Sequence, residues 1–425
     1  MKKVLIISYY WPPSGGAGVQ RWLKFTKYLK QFNIEPYILT VDSETASYPV
    51  LDKSLLNDVP KDVLISTAKI FDPNNFYEKL LGKKAPQGTI SKKEKKSFIG
   101  KITGFVRSNL FVPDSRMLWH FHATKIALDL LKTHNIKTVI TTGPPHSTHL
   151  IGLKLKAKCN FKWIVDFRDP WSKSFFNDYL KRNDFAVKKD EKLEQKVIEK
   201  ADETIVVSEG MKNDFVVPLK NVTTIYNGYD EADFESKKTQ QTKQFVISYT
   251  GNFKDNQNIK AVWEAVEELF EENQSFKKDF ELHFAGNINV SIKKDLHQYK
   301  FNQAIKYHGY VSHNTAINYM IKSAVLLFPI PQAAYNENII TGKIFEYLAS
   351  KTPILSLGPQ NGKAADILNT CARSPMKKYD DKIAIKAFIF SEYLLWKKNG
   401  NRKVKGEKHT FYSRINQTKE LAKLI

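Results

Sequence analysis

Short apolar runs alternate with stretches of helical periodicity along most of the chain. Val4-Leu5-Ile6-Ile7 is the first run and predicts a buried strand over 4–8. Behind it, Trp22, Phe25, Leu29 and Phe32 recur at three- and four-residue steps, which places them on one face of a helix over 19–32. The same reasoning predicts strands over 36–41, 63–66, 138–141, 163–166 and 203–207, with helices over 123–134, 149–158 and 190–201. Continuously apolar strands separated by helices predict a parallel sheet covered on both faces.

Residues 231–244 are polar, rich in lysine and glutamine, and free of apolar periodicity, which marks a linker. The alternation then restarts. Strands are predicted over 245–250, 280–285, 305–307, 325–329 and 353–357. Helices are predicted over 259–272, between 307 and 325, over 343–350, from 364, and over 382–397 and 412–424. No internal repeat is evident. Two successive βα halves predict two domains with a ligand cleft where they meet.

One segment of the first half breaks the pattern. Residues 77–111 begin polar and lysine-rich, then run "KKSFIGKITGFVRSNLF", where Phe98, Ile102, Phe105 and Val106 share a face and lysines occupy others. Two readings stand: a surface helix on anionic lipid, or a helical hairpin packed on its domain. "VPDSRMLWHFHA" follows, with a Pro113–Arg116 turn and Trp119 as candidates for shaping the entrance to a ligand site.

Composition narrows the classes. The chain has 425 residues, beyond one ordinary core, and 42% are apolar. No run reaches the roughly 18–20 apolar residues of a membrane-spanning helix. Met1-Lys2-Lys3 before Val4–Ile7 imitates a signal peptide, but the run is short and meets Trp11-Pro12-Pro13, so a first strand and a cytoplasmic protein are expected. The two cysteines, Cys159 and Cys371, suggest neither a disulfide framework nor a metal cluster. A net charge of +22 favours anionic partners. It is concentrated: residues 79–110 carry nine Lys/Arg against one acid, and 396–425 nine against two. No nucleic-acid motif or aromatic–basic platform accompanies it.

"SYYWPPSGGAGVQRW", Ser8 to Trp22, joins the first strand to the first helix. Strand, glycine loop and helix is an anion-binding arrangement, because glycines admit close approach and helix-start N–H groups face the anion. A dinucleotide fingerprint would need a third glycine where Arg21 stands, although Asp42 lies where a ribose-binding acid belongs. No Gly-Lys-Ser/Thr follows, which excludes a Walker A loop. What remains is a loop that turns on its glycines, or one in which Gly16, Gly18 and Arg21 contact an anion.

In the second half, "ENIITGKIFEYLASKTPILSLGP" carries the most information. Thr341-Gly342 ends a loop, and a helix follows with Lys343 in its first turn and Glu346 one turn later. A first-turn lysine opposes the helix dipole, but it makes sense if an anion docks there. Glu346 would then accept from vicinal hydroxyls such as those of a ribose. The alternative is an ordinary exposed Lys and Glu.

These stretches resemble a family. The glycine corner, "YNGYD", "YTGNF", "GYV" and "TGKIFEYLASKTPIL" recur in this order in GT-B glycosyltransferases, with greatest similarity to the retaining group called family 4 and its bacterial surface-polysaccharide enzymes. "TGPPHSTHLIGL" and "WIVDFRDPW" resemble a subgroup of it. The resemblance implies an α/β GT-B fold of two Rossmann-like βαβ domains facing a central cleft. It implies an acceptor-binding domain over 1–235, a nucleotide-sugar domain over 236–400, and a last helix, 401–425, returning to the first domain. It implies transfer without a bound metal or cofactor, from a nucleoside-diphosphate sugar to a glycan or polyisoprenoid-linked acceptor, by a protein peripheral at the inner face of the membrane.

The resemblance places Asn252, Lys254, Gly309, Tyr310, Thr341, Gly342, Lys343 and Glu346 on the donor, with Gly16, Gly18 and Arg21 of the other domain. Two departures are visible. Counting back from Glu346 by the usual E-x7-E step reaches Asn338, with Glu337 one residue out of register. The Arg and Lys that clamp the diphosphate after "YTGN" are missing, with only Lys254 nearby, and Lys343 and Arg21 are expected to share that task. His146 and His149 follow a strand end, where ligand contacts gather. His146 is the expected contact to the donor sugar or reacting hydroxyl, and His149 caps or packs. In "DFRDPW", Asp169 is placed to orient an acceptor hydroxyl and Arg168 to pair with a carboxylate or phosphate, with Asp166 beside them. The alternative there is a buried Arg–Asp pair that fixes the loop. A nucleotide-sugar epimerase, or a glycan- or membrane-binding assembly protein without catalysis, would share this architecture.

Overall fold

The first strand, β1 (Lys2–Ile7), divides its side chains between two cores: Leu5 and Ile7 enter one, Val4 and Ile6 the other. The structure, a computed structural model, describes residues 1–48, 50–70, 104–105, 108–174, 177, 180–235, 242–401 and 403–425. The lysine-rich stretch with Phe98, Ile102 and Val106, and the middle of the expected linker, lie outside these.

By internal contacts the chain forms two units, Met1–Tyr226 with Gln417–Ile425, and Asn227–Asn416. The first contains β1, β2 (Ile34–Val41), β3 (Leu64–Ala68), β4 (Thr138–Gly143), β5 (Lys162–Phe167), β6 (Glu203–Val206) and β7 (Val222–Thr224). They pair in parallel in the order β3-β2-β1-β4-β5-β6-β7. The chain reverses direction across the sheet between β1 and β4, so the loops after these strands flank a topological switch point. Helix α1 (Ala17–Leu29) covers one face through Val19, Trp22, Leu23, Phe25 and Leu29, joined by Leu421 and Ile425 from the end of the chain. Helices α2 (Trp119–Thr133), α3 (His149–Lys156) and α4 (Asp184–Lys200) cover the other.

The second unit holds β8 (Phe245–Thr250), β9 (Phe280–Ala285), β10 (Ile305–Gly309), β11 (Val325–Pro329) and β12 (Ile354–Leu357), all parallel, in the order β10-β9-β8-β11-β12. Its helices include α5 (Lys260–Glu272), α6 (Gln274–Asp279), α7 (Val290–His297), α8 (His313–Lys322), α9 (Lys343–Ser350), α10 (Lys363–Thr370) and α11 (Lys382–Asn399). Helix α12 (Arg414–Leu424) ends the chain.

The division between units falls earlier than the polar stretch at 231–244 suggests. Tyr229 is bound to the later chain: its N–H donates to the Tyr412 carbonyl at 3.1 Å, and its own carbonyl accepts from the Arg414 N–H at 2.7 Å. The helical turn Ala232–Glu235 therefore belongs to the second unit, as do residues 403–416, and the first unit regains the chain at Gln417.

Candidate functional site

Three loops of the first unit leave the sheet at the C-terminal ends of β1, β4 and β5, and Arg168 ties two of them together. Its Nε donates to the Gly143 carbonyl at 3.2 Å, and its guanidinium also donates to the Pro144 carbonyl. The guanidinium lies against the third loop, where a Cβ added at Gly18 would stand 2.0 Å from Nη1. That gives Gly18 a packing reason to be glycine beside its expected role as a backbone contact to an anion. Gly16 has no such neighbour. It precedes α1 with φ +102°, is exposed, and has nothing within 4 Å of an added Cβ.

Arg21 does not face a ligand. It is fully buried and ion-paired to Asp166 at 2.8 Å. Its Nη1 donates to the carbonyls of Ile225 and Tyr226 at 2.9 and 3.1 Å. Asp166 also accepts from Trp22 Nε1 and Thr142 Oγ1, each at 2.8 Å. The residue that broke the dinucleotide pattern is therefore structural. It fastens α1 to β5 and to the chain beyond β7, and a buried Arg–Asp pair of the kind weighed for "DFRDPW" exists with Arg21 as its cation.

His146 stacks on Trp171 at 5.0 Å between centroids and 7° between planes. Trp171 Nε1 donates to Asp190 at 2.8 Å. His149 is completely buried, with Nδ1 2.9 Å from Thr141 Oγ1, so it packs as expected. Both rings crowd Gly143, where an added Cβ would meet His149 Nε2 at 2.5 Å and His146 Nδ1 at 2.8 Å. Burial, aided by the Arg168 charge, pushes the His146 imidazole down to about 3. Burial and the neighbouring His146 push His149 well below its ordinary value. Both imidazoles are therefore neutral near pH 7. Asp169 is exposed as a residue, yet the protein packed around its carboxyl raises its pKa while Arg168 works against the rise.

The second unit assembles a distinct group at the ends of β8 and β10 and the start of α9. Lys343 is the first residue of α9, and its ammonium lies 5.2 Å from the centre of the Tyr249 ring. Gly251, at φ +104°, makes room for the lysine stem: a Cβ there would come within 2.6 Å of Lys343 Cε. Burial lowers the ammonium pKa, partly countered by Tyr347 and Glu346. Among the described residues no acid forms an ion pair with it.

Glu346, one turn on, accepts from His313 at 2.8 Å, and its side chain is 26% exposed. Burial raises its pKa, but His313, Lys343 and Arg414 outweigh that and hold the carboxyl below its ordinary range. Thr341 is half-buried, and Gly342, Asn252 and Lys254 stand exposed, as does Tyr310 (62%) beyond the end of β10 at Gly309. Glu337 lies in the 3-10 turn Asn336–Asn338, and its carbonyl would meet a Cβ added at Gly362 at 3.0 Å. Sequence reasoning missed His313, three residues after Tyr310 in "GYVSH", and it missed the support that Tyr249 gives the lysine.

Among the described residues, no helix is long and apolar enough to cross a membrane, and no group of three or more His, Cys, Asp or Glu is arranged to hold a metal ion. No protein-family model matches the chain, and no curated protein matches it by sequence. Solved structures do. A glycosyltransferase from Rickettsia africae superposes with a TM-score of 0.61 at 14% identity, over 100% of this chain and 97% of that one. Anabaena HepE, solved in complex with UDP-glucose, gives 0.57 at 10%, over 100% and 99%. The fold is GT-B. A Listeria monocytogenes protein described as a UDP-N-acetylglucosamine 2-epimerase gives 0.51 at 11%, over 99% and 95%. GT-B chains thus include proteins described both as transferases and as an epimerase. At such identities the likeness is one of fold, and the reading of function rests on the side chains.

Proposed function

We propose that this chain is a glycosyltransferase that takes its sugar from a nucleoside diphosphate held by the second unit. The observation that carries the reading is Lys343, a half-buried ammonium without an acid partner among the described residues, at the start of a helix whose dipole also favours an anion. Glu346, ionised and partly exposed one turn away, suits a vicinal diol. Negative charge grows on the departing diphosphate as the glycosidic bond breaks. A preorganised cation at the positive end of a helix dipole lowers that barrier.

In the first unit, Asp169 is proposed to orient the acceptor hydroxyl, with Arg168 holding its loop and His146 offering a neutral polar edge. Gly16, exposed just before α1, is proposed as a backbone contact to an anion. Retention of configuration, metal independence, a cytoplasmic location and an acceptor in surface-polysaccharide assembly are part of the proposal, supported by the family resemblance. So is docking on anionic lipid, supported by exposed Phe105, Leu110, Phe121 and Phe185 (54, 65, 59 and 75%) on a strongly basic chain. Equal flotation with neutral and anionic liposomes would remove the lipid part alone.

A thermal-shift series with UDP-glucose, UDP-N-acetylglucosamine, GDP-mannose and TDP-glucose tests the donor part, because a ligand bound to the folded state raises the midpoint. Stabilisation by at least one, with nucleoside diphosphate released when acceptor is added, is expected. No shift with any overturns the reading. The likeness to a protein described as an epimerase supports one alternative, epimerisation of the same donor. Donor incubated alone separates the two: a stereoisomer of the nucleotide sugar indicates epimerisation, and slow hydrolysis indicates transfer.

A further inference from the structure

We infer that His313 is a positioning residue for Glu346, setting that carboxylate for a ribose diol and so fixing the preference for ribo- over 2′-deoxyribonucleotides. The inference rests on the donor reading above.

His313 is the first residue of α8, directly after Ser312, whose hydroxyl caps the helix by accepting from the Thr315 N–H at 3.3 Å. Its Nε2 lies 2.8 Å from Glu346 Oε1, and its Nδ1 lies 3.8 Å from Asp233 Oδ2 on the helical turn Ala232–Glu235. An ionised carboxylate can only accept, and Glu346 is held in that form by its neighbours, so Nε2 carries the hydrogen. The imidazole therefore spans two carboxylates on different elements. Lys343 and Arg414 are the other charges near Glu346, and both are cations.

This bridge does two things to Glu346. It occupies Oε1, and among the described residues no other side chain hydrogen-bonds to the carboxylate. It also fixes the orientation of the group, which is 26% exposed and thus within reach of a ligand. A fixed carboxylate can take two hydroxyls at once. A site built for a hydroxyl rejects the analogue lacking it, because a polar group is left unpaired. Without His313 the carboxylate turns freely, and one hydroxyl satisfies it nearly as well as two.

Calorimetric titration of the full chain with UDP, GDP and ADP, each beside its 2′-deoxy analogue, tests this. For the base that binds tightest, His313→Ala is expected to cut the ribo-over-deoxy preference at least fivefold, towards the value of Glu346→Ala. His313→Gln, whose amide nitrogen reaches the position of Nε2, is expected to restore most of it. An equal loss for both sugars in His313→Ala, or a Gln variant no better than Ala, overturns the inference even if Glu346→Ala abolishes the preference. An unchanged preference in Glu346→Ala, or no binding of any of the three, overturns the ribose reading itself.

Discussion

The Arg168 guanidinium occupies the space that a side chain at position 18 would need: an added Cβ would lie 2.0 Å from Nη1 and 3.1 Å from Cζ. Gly18→Ala must push Arg168 off the Gly143 and Pro144 carbonyls or displace the start of α1. A destabilisation of about 1–3 kcal/mol is expected, the usual range for overpacking. With Arg168 shortened, the methyl has room. The double variant Gly18→Ala/Arg168→Ala should therefore be more stable than the sum of the single effects by more than about 0.5 kcal/mol. Urea unfolding of the four proteins measures this, and strict additivity would refute the relationship.

Arg21 and Asp166 make a different prediction, because their pair is wholly buried. Removing one partner strands the other charge away from water and costs about 3–5 kcal/mol. Asp166→Asn and Arg21→Met should each fall in that range, while the pair of changes together should cost far less than their sum. Nucleotide affinity, measured per folded molecule, should be unchanged in Arg21→Met. A tenfold loss of affinity in a folded Arg21→Met protein would return Arg21 to the ligand.

The histidines beside Gly143 make the protein sensitive to acid. His146 titrates near 3 when folded, against an ordinary value near 6.5. Between these values the unfolded chain binds a proton that the folded one refuses, so stability falls as pH drops. The loss is about 2 kcal/mol by pH 5 from His146, at about 1.4 kcal/mol per pH unit. His149 adds a loss of the same sign. Unfolding free energies at pH 7 and pH 5 should differ less in His146→Gln than in the parent, and an identical difference would show that His146 charges as freely folded as unfolded.

Periodicity revealed the layout because both sheets are buried and parallel. Phe245–Thr250 and Val325–Pro329 are largely apolar runs and Phe280–Ala285 an alternating one, and their ends coincide with the strands they form. β7 was invisible, since Val222–Thr224 is a three-residue, half-buried edge strand with little pattern to read. The helix α6 was missed for a similar reason, being six residues long and dependent on the Asn273 side chain, which accepts from the Phe276 N–H at 2.9 Å. Lys343 and Glu346 were legible as a pair because one helical turn separates them. Arg21 was misread because it lies on α1 and its partner, Asp166, stands on β5, far along the chain. Local spacing cannot distinguish a cation aimed at a ligand from one aimed at a distant carboxylate. His313 went unnoticed for the same reason, as its partners at 233 and 346 lie on other elements.

Lys343 gives the most direct test of the donor site. Its ammonium has a lowered pKa through burial, and a bound diphosphate would favour the charged form and raise it again. Two consequences follow from the sign of that shift. In the free protein, stability should rise with pH toward about 10.5, because over that interval the unfolded chain binds a proton that the folded chain lacks. Affinity for a nucleoside diphosphate should move the opposite way, falling as pH passes the lowered pKa and the ammonium is lost. Lys343→Ala should weaken binding at least tenfold at pH 7, about 1.4 kcal/mol or more, and should flatten the alkaline fall in affinity. Titrations with UDP or GDP from pH 7 to 10, run in two buffers of different ionisation enthalpy, read affinity and proton uptake together. A Lys343→Ala protein with near-parental affinity, or a parent whose affinity is level to pH 10, would place the diphosphate elsewhere.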